Sequence, residues 1–304
     1  MNPTDRYFET LRRTRQRERD LARENAYGTI PGLAALENER RSLFREAALG
    51  KRPLAGTADA IRALGDRERA LLSENGMAPD ALEPRYDCAL CKDTGWTDGG
   101  RRKPCRCRLL YEAEHDPAIG ITGKETFETF SDTIQPTEEQ RAQAKRAMNL
   151  CLRYADSLPH PEKTGLLLLG KSGLGKSFLG NAIARRALER GVPARRVTAS
   201  EFIRLTMQHL SERTTDETFR TVPLLVLDDL GTEPLIPNVS EETLFALYET
   251  RITRGLCTVS ITNLAGSELQ ERYGERLVSR LVDTETTMTL RLTGDNLRWR
   301  KNKC

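Results

Sequence analysis

The chain has 304 residues, 38% hydrophobic, 30% charged and 6% aromatic, with a formal net charge of +4. That length holds one large domain and one or two small ones, since domains typically run to about 100–200 residues. Residues 1–20 are charged throughout and no apolar run approaches the roughly 18 residues of a membrane span, so neither a secretory signal nor a bilayer helix is expected and the cytoplasm is the expected compartment. Basic and acidic residues are interleaved, so a polyanionic partner would have to be met by local patches rather than by the net charge.

From residue 5 to about residue 74 the composition is Arg, Glu, Ala and Leu, broken at Gly28 and Pro31, at Gly50 and Pro53, and closed by Gly76. These breaks predict three helices, with Thr57 as N-cap of the third and Ile61, Leu64, Leu71 and Leu72 as its apolar stripe. The stripe is narrow, so a bundle this charged buries little by itself and is suited to completing its burial on a partner.

Four of the seven cysteines follow within one short segment, Cys88, Cys91, Cys105 and Cys107. The two-residue gap of the first pair lets both thiolates meet one tetrahedral zinc ion, and the second pair closes a four-sulfur site, although its one-residue gap is tighter than usual. Four protein ligands leave no open coordination position, so such a zinc is structural rather than catalytic. Arg101, Arg102, Lys103, Arg106 and Arg108 would offset the roughly two negative charges left on the cluster.

Residues 115–123 read as a linker, Phe127 and Phe130 as a lead-in, and 137–156 as a helix. Strands and helices then alternate, with strands at 166–169, 196–198, 224–227, 257–261 and 288–292 and helices at 176–190, 200–212, 240–254 and 275–282. This alternation predicts a parallel sheet covered on both faces, with ligands beyond the carboxyl ends of its strands.

The apolar run Leu166–Leu169 ends in Gly170, Lys171, Ser172, Gly173, Leu174, Gly175, Lys176 and Ser177, and Phe178 follows in the expected helix. Strand, glycine loop and helix in that order make a phosphate cradle, in which backbone N–H groups and the helix N-terminus hold polyphosphate oxygens. Lys176 would reach the β- and γ-phosphates, and the Ser177 hydroxyl would ligand the magnesium ion of Mg-ATP. A second apolar run ends in Asp228 and Asp229, the first suited to magnesium and the second to polarising the water that attacks the γ-phosphate. Asn263, after the 257–261 strand, could help hold that water.

The phosphate loop, the Asp228-Asp229-Leu-Gly-Thr-Glu run, Asn263 and Arg276-Leu-Val-Ser-Arg280-Leu together resemble an AAA+ ATPase of the initiator and helicase-loader group. With the cysteine segment and the Phe127/Phe130 lead-in, the whole chain is similar to bacterial replicative helicase loaders of the DnaC/DnaI type, in their zinc-containing form. The resemblance implies an N-terminal helical domain (1–80) that grips a hexameric DnaB-type helicase, a four-cysteine zinc segment (81–112), a lead-in (113–135) and an AAA+ ATPase domain (136–304) that self-assembles on single-stranded DNA. It implies that Arg280 is an arginine finger acting on the γ-phosphate bound by a neighbouring subunit, with Arg276 as the substitute. Asp229 stands where such enzymes carry Glu, which suits slow, assembly-dependent hydrolysis. No C-terminal helical lid is expected before residue 304. DNA contacts are expected from Arg204, Arg213 and Arg220, and from Arg298, Trp299, Arg300, Lys301 and Lys303. Two other readings stay open, a transposition helper ATPase of the IstB type and an adaptor that binds ATP without hydrolysing it.

Overall fold

The computed structural model describes residues 2–97, 103–132, 135–212, 217–237, 239–294 and 296. Arg101, Arg102, Arg213, Arg298, Trp299, Arg300, Lys301 and Lys303, named above, lie outside the described residues. The chain divides into two compact units, Met1–Lys103 and Pro104–Cys304.

The first unit holds the three expected helices, α1 (Pro3–Thr29), α2 (Leu33–Ala48) and α3 (Leu54–Glu74). Helix α1 runs through Gly28, and the break falls instead at Pro31 and Gly32, whose φ of 88° is open to glycine. Thr57 is not an N-cap. Pro53 holds that position, its fixed φ starting the helix early, and the Thr57 hydroxyl inside the first turn donates to the Pro53 carbonyl at 2.8 Å. Two small cores form, one of Ala26, Ile30, Leu33, Leu72 and Leu82, the other of Leu36, Leu43 and Leu64. Clusters this small fit the narrow stripe read from the sequence, and Phe44 in α2 and Leu49 just after it are left exposed.

Strands β1 (Trp96–Thr97) and β2 (Lys103–Pro104) pair as a two-stranded sheet around the cysteine segment, and α4 (Arg106–His115) follows. Beyond it come a 3-10 turn (Pro117–Ile119), α5 (Glu138–Ser157), β3 (Gly165–Leu169), α6 (Lys176–Glu189), β4 (Ala194–Thr198), α7 (Ala199–Glu212) and α8 (Thr218–Thr221). The chain continues through β5 (Leu224–Leu230), α9 (Ser240–Thr253), β6 (Cys257–Thr262), α10 (Gly266–Val282) and β7 (Thr287–Arg291). The five long strands form a parallel sheet in the order β4-β5-β6-β3-β7, so the phosphate-loop strand β3 lies one place in from an edge.

Both faces are covered, as the apolar runs demanded. In β3, Leu166 and Leu168 pack with residues of α5 and α6, whereas Leu167 and Leu169 pack with residues of α7, α9 and α10, the two-residue period dividing one strand between two cores. This is the α/β P-loop architecture the AAA+ resemblance implied. The stretch read as a linker is held in the same unit: Ile119 and Ile121 are buried, and the fully buried Asn181 of α6 bonds the Thr122 N–H and the Thr122 and Glu125 carbonyls at 2.8–2.9 Å.

Arg251 of α9 is wholly buried, and among the described residues no carboxylate pairs with it. It donates to the Phe219, Val222 and Cys257 carbonyls and to the Thr258 hydroxyl, tying α8 to the starts of β5 and β6; burial pulls its pKa down to about 10. Among the described residues no helix is long and apolar enough to cross a membrane.

Candidate functional site

The residues singled out by the sequence meet at the carboxyl edge of the sheet. After Leu169 the loop turns through Gly170, Gly173 and Gly175, with φ of 145°, 83° and 83°. A Cβ at Gly170 would run into the Leu292 carbonyl oxygen, so only glycine fits there, and at Gly173 the positive φ favours glycine. Gly175 caps α6, which makes Lys176 and Ser177 the first residues of that helix and leaves its first N–H groups facing the loop.

Lys176 is 5% exposed, and its Nζ donates to the Gly170 carbonyl at 2.6 Å, the Lys171 carbonyl at 2.8 Å and Asn263 Oδ1 at 2.7 Å. Register explains the contact with Asn263: Leu169 pairs with Thr262, so the residue after β6 arrives beside the loop that follows β3. The Ser177 hydroxyl donates to Asp228 Oδ1 at 3.2 Å. This Ser–Asp pair beside a phosphate cradle is a donor set of hard oxygens that fits a magnesium ion, and Lys176 and the loop N–H groups fit the polyphosphate that would carry it.

Asp228 and Asp229 were expected just after a strand ending at 227, but β5 extends to Leu230 and contains both. The pairing of β5 with β6 shifts between Leu227 and Leu230, and Asp229 sits in that irregularity at φ 53°. Bulges re-aim side chains, and Asp is among the few residues that tolerate the left-handed region. Asp228 is 1% exposed whereas Asp229 is half-buried. A cavity of about 590 Å³ opens at this edge, lined among others by Lys171, Leu174, Asn263, Glu268 and Leu292.

Two features of this edge escape the sequence reading. Arg196 of β4 bonds Asp228, and the buried Glu233 accepts from the Gly231 N–H, the Tyr273 hydroxyl and Arg272, fastening the loop after β5 to α10. Burial, then Glu233 itself, pushes the Tyr273 phenol well up, so it stays a donor. The signal for Glu233 is its place at the end of the Asp228-Asp229-Leu-Gly-Thr-Glu run, which by itself gives it no role, and Arg196 carries none beyond its place in a weak strand.

Arg280 is not brought to this chain's own phosphate loop. It borders a small cavity with Thr164, Gly165, Thr258, Thr286 and Thr287, residues at the amino ends of β3, β6 and β7, the opposite edge of the sheet. Its Nε pairs with Glu249 of α9 at 2.9 Å, and both side chains are half-exposed. Arg276 lies over the Phe245 ring at 3.7 Å and pairs with Glu242 at 3.1 Å. Of the arginines expected to meet DNA, Arg204 pairs with Glu201 at 2.6 Å and Arg220 lies in α8.

The Cys88, Cys91, Cys105 and Cys107 sulfurs all lie within 4.8 Å of one another, and none is in a disulfide. Four thiolates at a Zn–S distance of about 2.3 Å stand about 3.8 Å apart, so this cluster fits a tetrahedral zinc. The local backbone is shaped for it: Lys92 and Asp93 adopt φ of 50° and 58°, the Gly95 N–H points at Cys91 Sγ at 3.4 Å, and the buried Asp93 carboxylate accepts from the Asp87 and Cys88 N–H groups. Such donors to a ligand turn orient metal-bound sulfurs. Of the expected counter-charges, Arg108 is buried and shares its charge with Glu112 at 2.9 Å. Purified protein is expected to carry about one tightly held zinc per chain, lost in Cys105→Ser and kept in Cys151→Ser, as a chromogenic zinc-release assay would read. Equal zinc in both variants would remove the metal assignment.

A family model described as IstB-like ATP binding protein matches residues 124–303. The replicative helicase loader DnaI of Bacillus subtilis (strain 168) is 31% identical over 149 residues, a match spanning 44% of this chain and 47% of that protein, so the chain covers about half the length of this relative. Among solved structures, AMPPCP-bound DnaA from Aquifex aeolicus is similar at 22% identity and a TM-score of 0.47, covering 60% of this chain and 55% of that one. A DnaC helicase loader is similar at 22% identity and a TM-score of 0.47, covering 56% and 98%.

Proposed function

The chain belongs to the IstB-like ATP-binding protein family, and from that premise we propose that it is a slow, assembly-dependent ATPase that loads a replicative DnaB-type helicase onto single-stranded DNA when replication starts or restarts. The observation that carries the choice is its 31% identity over 149 residues to a protein named as a replicative helicase loader. Residues 1–80 grip the helicase hexamer, residues 81–112 hold a structural zinc, 113–135 lead in, and 136–304 bind ATP, self-assemble and meet DNA in the cytoplasm.

In the ATPase step, the loop N–H groups from Gly170 to Ser177 hold the phosphate chain, and Lys176 turns its ammonium from the loop carbonyls to the β- and γ-oxygens. Ser177 and Asp228 would hold magnesium, which would offset charge on the phosphates. Asp229 accepts a hydrogen bond from the attacking water and Asn263 fixes that water's direction. Arg280 of a neighbouring copy meets the charge that builds on the transferred phosphoryl group, so turnover waits for assembly.

The match to an IstB-like ATP binding protein keeps a second reading open, a transposition helper ATPase of the IstB type. Against it stand the three helices and the four-cysteine cluster, all of which precede residue 124. A third reading, an adaptor that holds ATP unhydrolysed, is kept alive by Asp229 in place of Glu and ends if DNA-stimulated turnover is measured.

The test is capture of the replicative helicase of the same cell by the full-length protein. Wild type is expected to retain it, and a Phe44→Ser, Leu49→Ser double variant to lose most of it while keeping ATP binding, because these two exposed side chains are apolar surface that the second helix and its end offer to a partner. No capture by folded wild type would sink the loader reading and put the transposition helper first.

A further inference from the structure

The buried carboxylate that is to hold magnesium is already claimed by a cation of its own chain. Arg196 lies on β4, where Thr198 is in register with Asp228; two residues earlier on a strand, Arg196 points to the same face. Its Nη2 reaches Asp228 Oδ2 at 2.7 Å and its Nε reaches the same oxygen at 3.3 Å. The other oxygen, Oδ1, accepts from the Ser177 hydroxyl at 3.2 Å and from the Asp229 N–H at 2.9 Å. Both oxygens are thus committed to protein donors.

The base of Arg196 is fixed as well, since the Gly120 backbone lies so close against the Arg196 carbonyl that a Cβ there could not fit. The Asp228 side chain is 2% exposed and that of Arg196 21%, so the pair is largely out of water. A buried carboxylate needs a compensating charge at all times, and removing one partner of such a pair leaves the other charge uncompensated. Magnesium can supply the compensation in place of the arginine. It cannot do so freely, because two cations then converge on one carboxylate and Oδ2 has its lone pairs directed at the guanidinium.

We propose that Arg196 is a positioning residue that holds Asp228 in place and competes with magnesium for it, so that it sets the magnesium concentration at which the nucleotide site is completed. This rests on the reading that Asp228 and Ser177 hold magnesium. Asp228 is offered the right geometry before metal arrives, but the site closes only when metal and phosphate together displace the guanidinium.

The experiment titrates Mg²⁺ into full-length protein with a fluorescent N-methylanthraniloyl ATP and reads the Mg²⁺ concentration for half-maximal binding, beside binding in EDTA. Arg196→Gln is expected to lower that concentration about tenfold, the scale of one charge-assisted hydrogen bond, and to leave binding in EDTA unchanged. Arg196→Lys keeps the charge without the fork and should shift it in the same direction by less. It carries the test if Arg196→Gln does not give a folded protein by circular dichroism. A merely structural role would weaken binding with and without metal alike. An unchanged or increased magnesium requirement in the Arg196 variants overturns the proposal. Asp228→Asn separates the two layers of the argument: if it leaves the wild-type Mg²⁺ titration unmoved, the magnesium reading of Asp228 has failed; if it abolishes the dependence while Arg196 variants match wild type, only the competition has failed.

Discussion

Lys176→Ala is expected to lower ATP affinity by about a hundredfold and to take turnover below detection, while the protein stays folded. The side chain does two jobs that alanine cannot. Its ammonium is held by the Gly170 and Lys171 carbonyls and by Asn263, so it pins the turn of the loop and the end of β6 together. It is also a cation held within the loop itself, and each charge-assisted contact to a phosphate oxygen is worth about 1.5–3 kcal/mol.

The carbonyls it now satisfies lie at the rim of the sheet edge and water can replace it there, so the loss should fall on binding rather than on the fold. Lys176→Arg is the informative companion. It keeps the charge, but a guanidinium is too long and planar for the narrow space between Gly170 and Asn263, and binding should still fall. Isothermal titration with ATP and magnesium reads both. Affinity within threefold of wild type in Lys176→Ala would mean that the loop does not cradle the phosphates.

How much of this could be read beforehand depended on whether a residue's partners were near in sequence or set by register. The phosphate loop was legible because strand, glycines and helix start are consecutive. The β3 and β5 strands were legible because burial on both faces leaves unbroken apolar runs, whereas β6, buried just as fully, alternates Cys257, Val259 and Ile261 with Thr258, Ser260 and Thr262 and reads as a strand from its β-branched residues. Helix α10 is longer than its sequence suggests: the expected helix starts at Glu275, whereas eight residues before Gly274 also wind, and Gly274 at φ 70° and ψ 172° is a break inside the element. Leu269 and Tyr273 are the fully buried residues of that first part, too few to make a periodic stripe. Helix α4 was hidden by the cysteines, whose spacing points to metal. Arg196 could not be found at all, since its pairing with Asp228 arises from strands adjacent in the sheet but 32 positions apart in the chain.

The second large effect concerns Arg280, whose place in its own subunit decides how it can act. It stands at the amino edge of the sheet, while the phosphate loop follows the carboxyl end of β3; five residues of strand run from Gly165 to Leu169 at about 3.3 Å each, so the guanidinium cannot serve the nucleotide of its own chain. Arg280→Ala should therefore leave ATP affinity intact and cut turnover of the assembled protein about a thousandfold. Its present partner does not forbid the role: the Arg280–Glu249 pair is half-exposed, and pairs of that kind are worth about 0–1 kcal/mol, so the side chain swings out easily. Arg276 is more firmly held, by the Phe245 ring as well as by Glu242, which makes Arg276→Ala the control expected to act through stability instead. Mixing gives the decisive readout. Lys176→Ala subunits keep Arg280 but bind ATP too weakly to turn it over, and Arg280→Ala subunits bind ATP but lack that guanidinium. Combined on single-stranded DNA, they should turn over faster than either alone, because mixed contacts set an intact Arg280 against an occupied site. If the mixture is as inactive as its components, Arg280 does not work across the subunit boundary, and the dependence of hydrolysis on assembly would have to come from the loop and Asp229 alone.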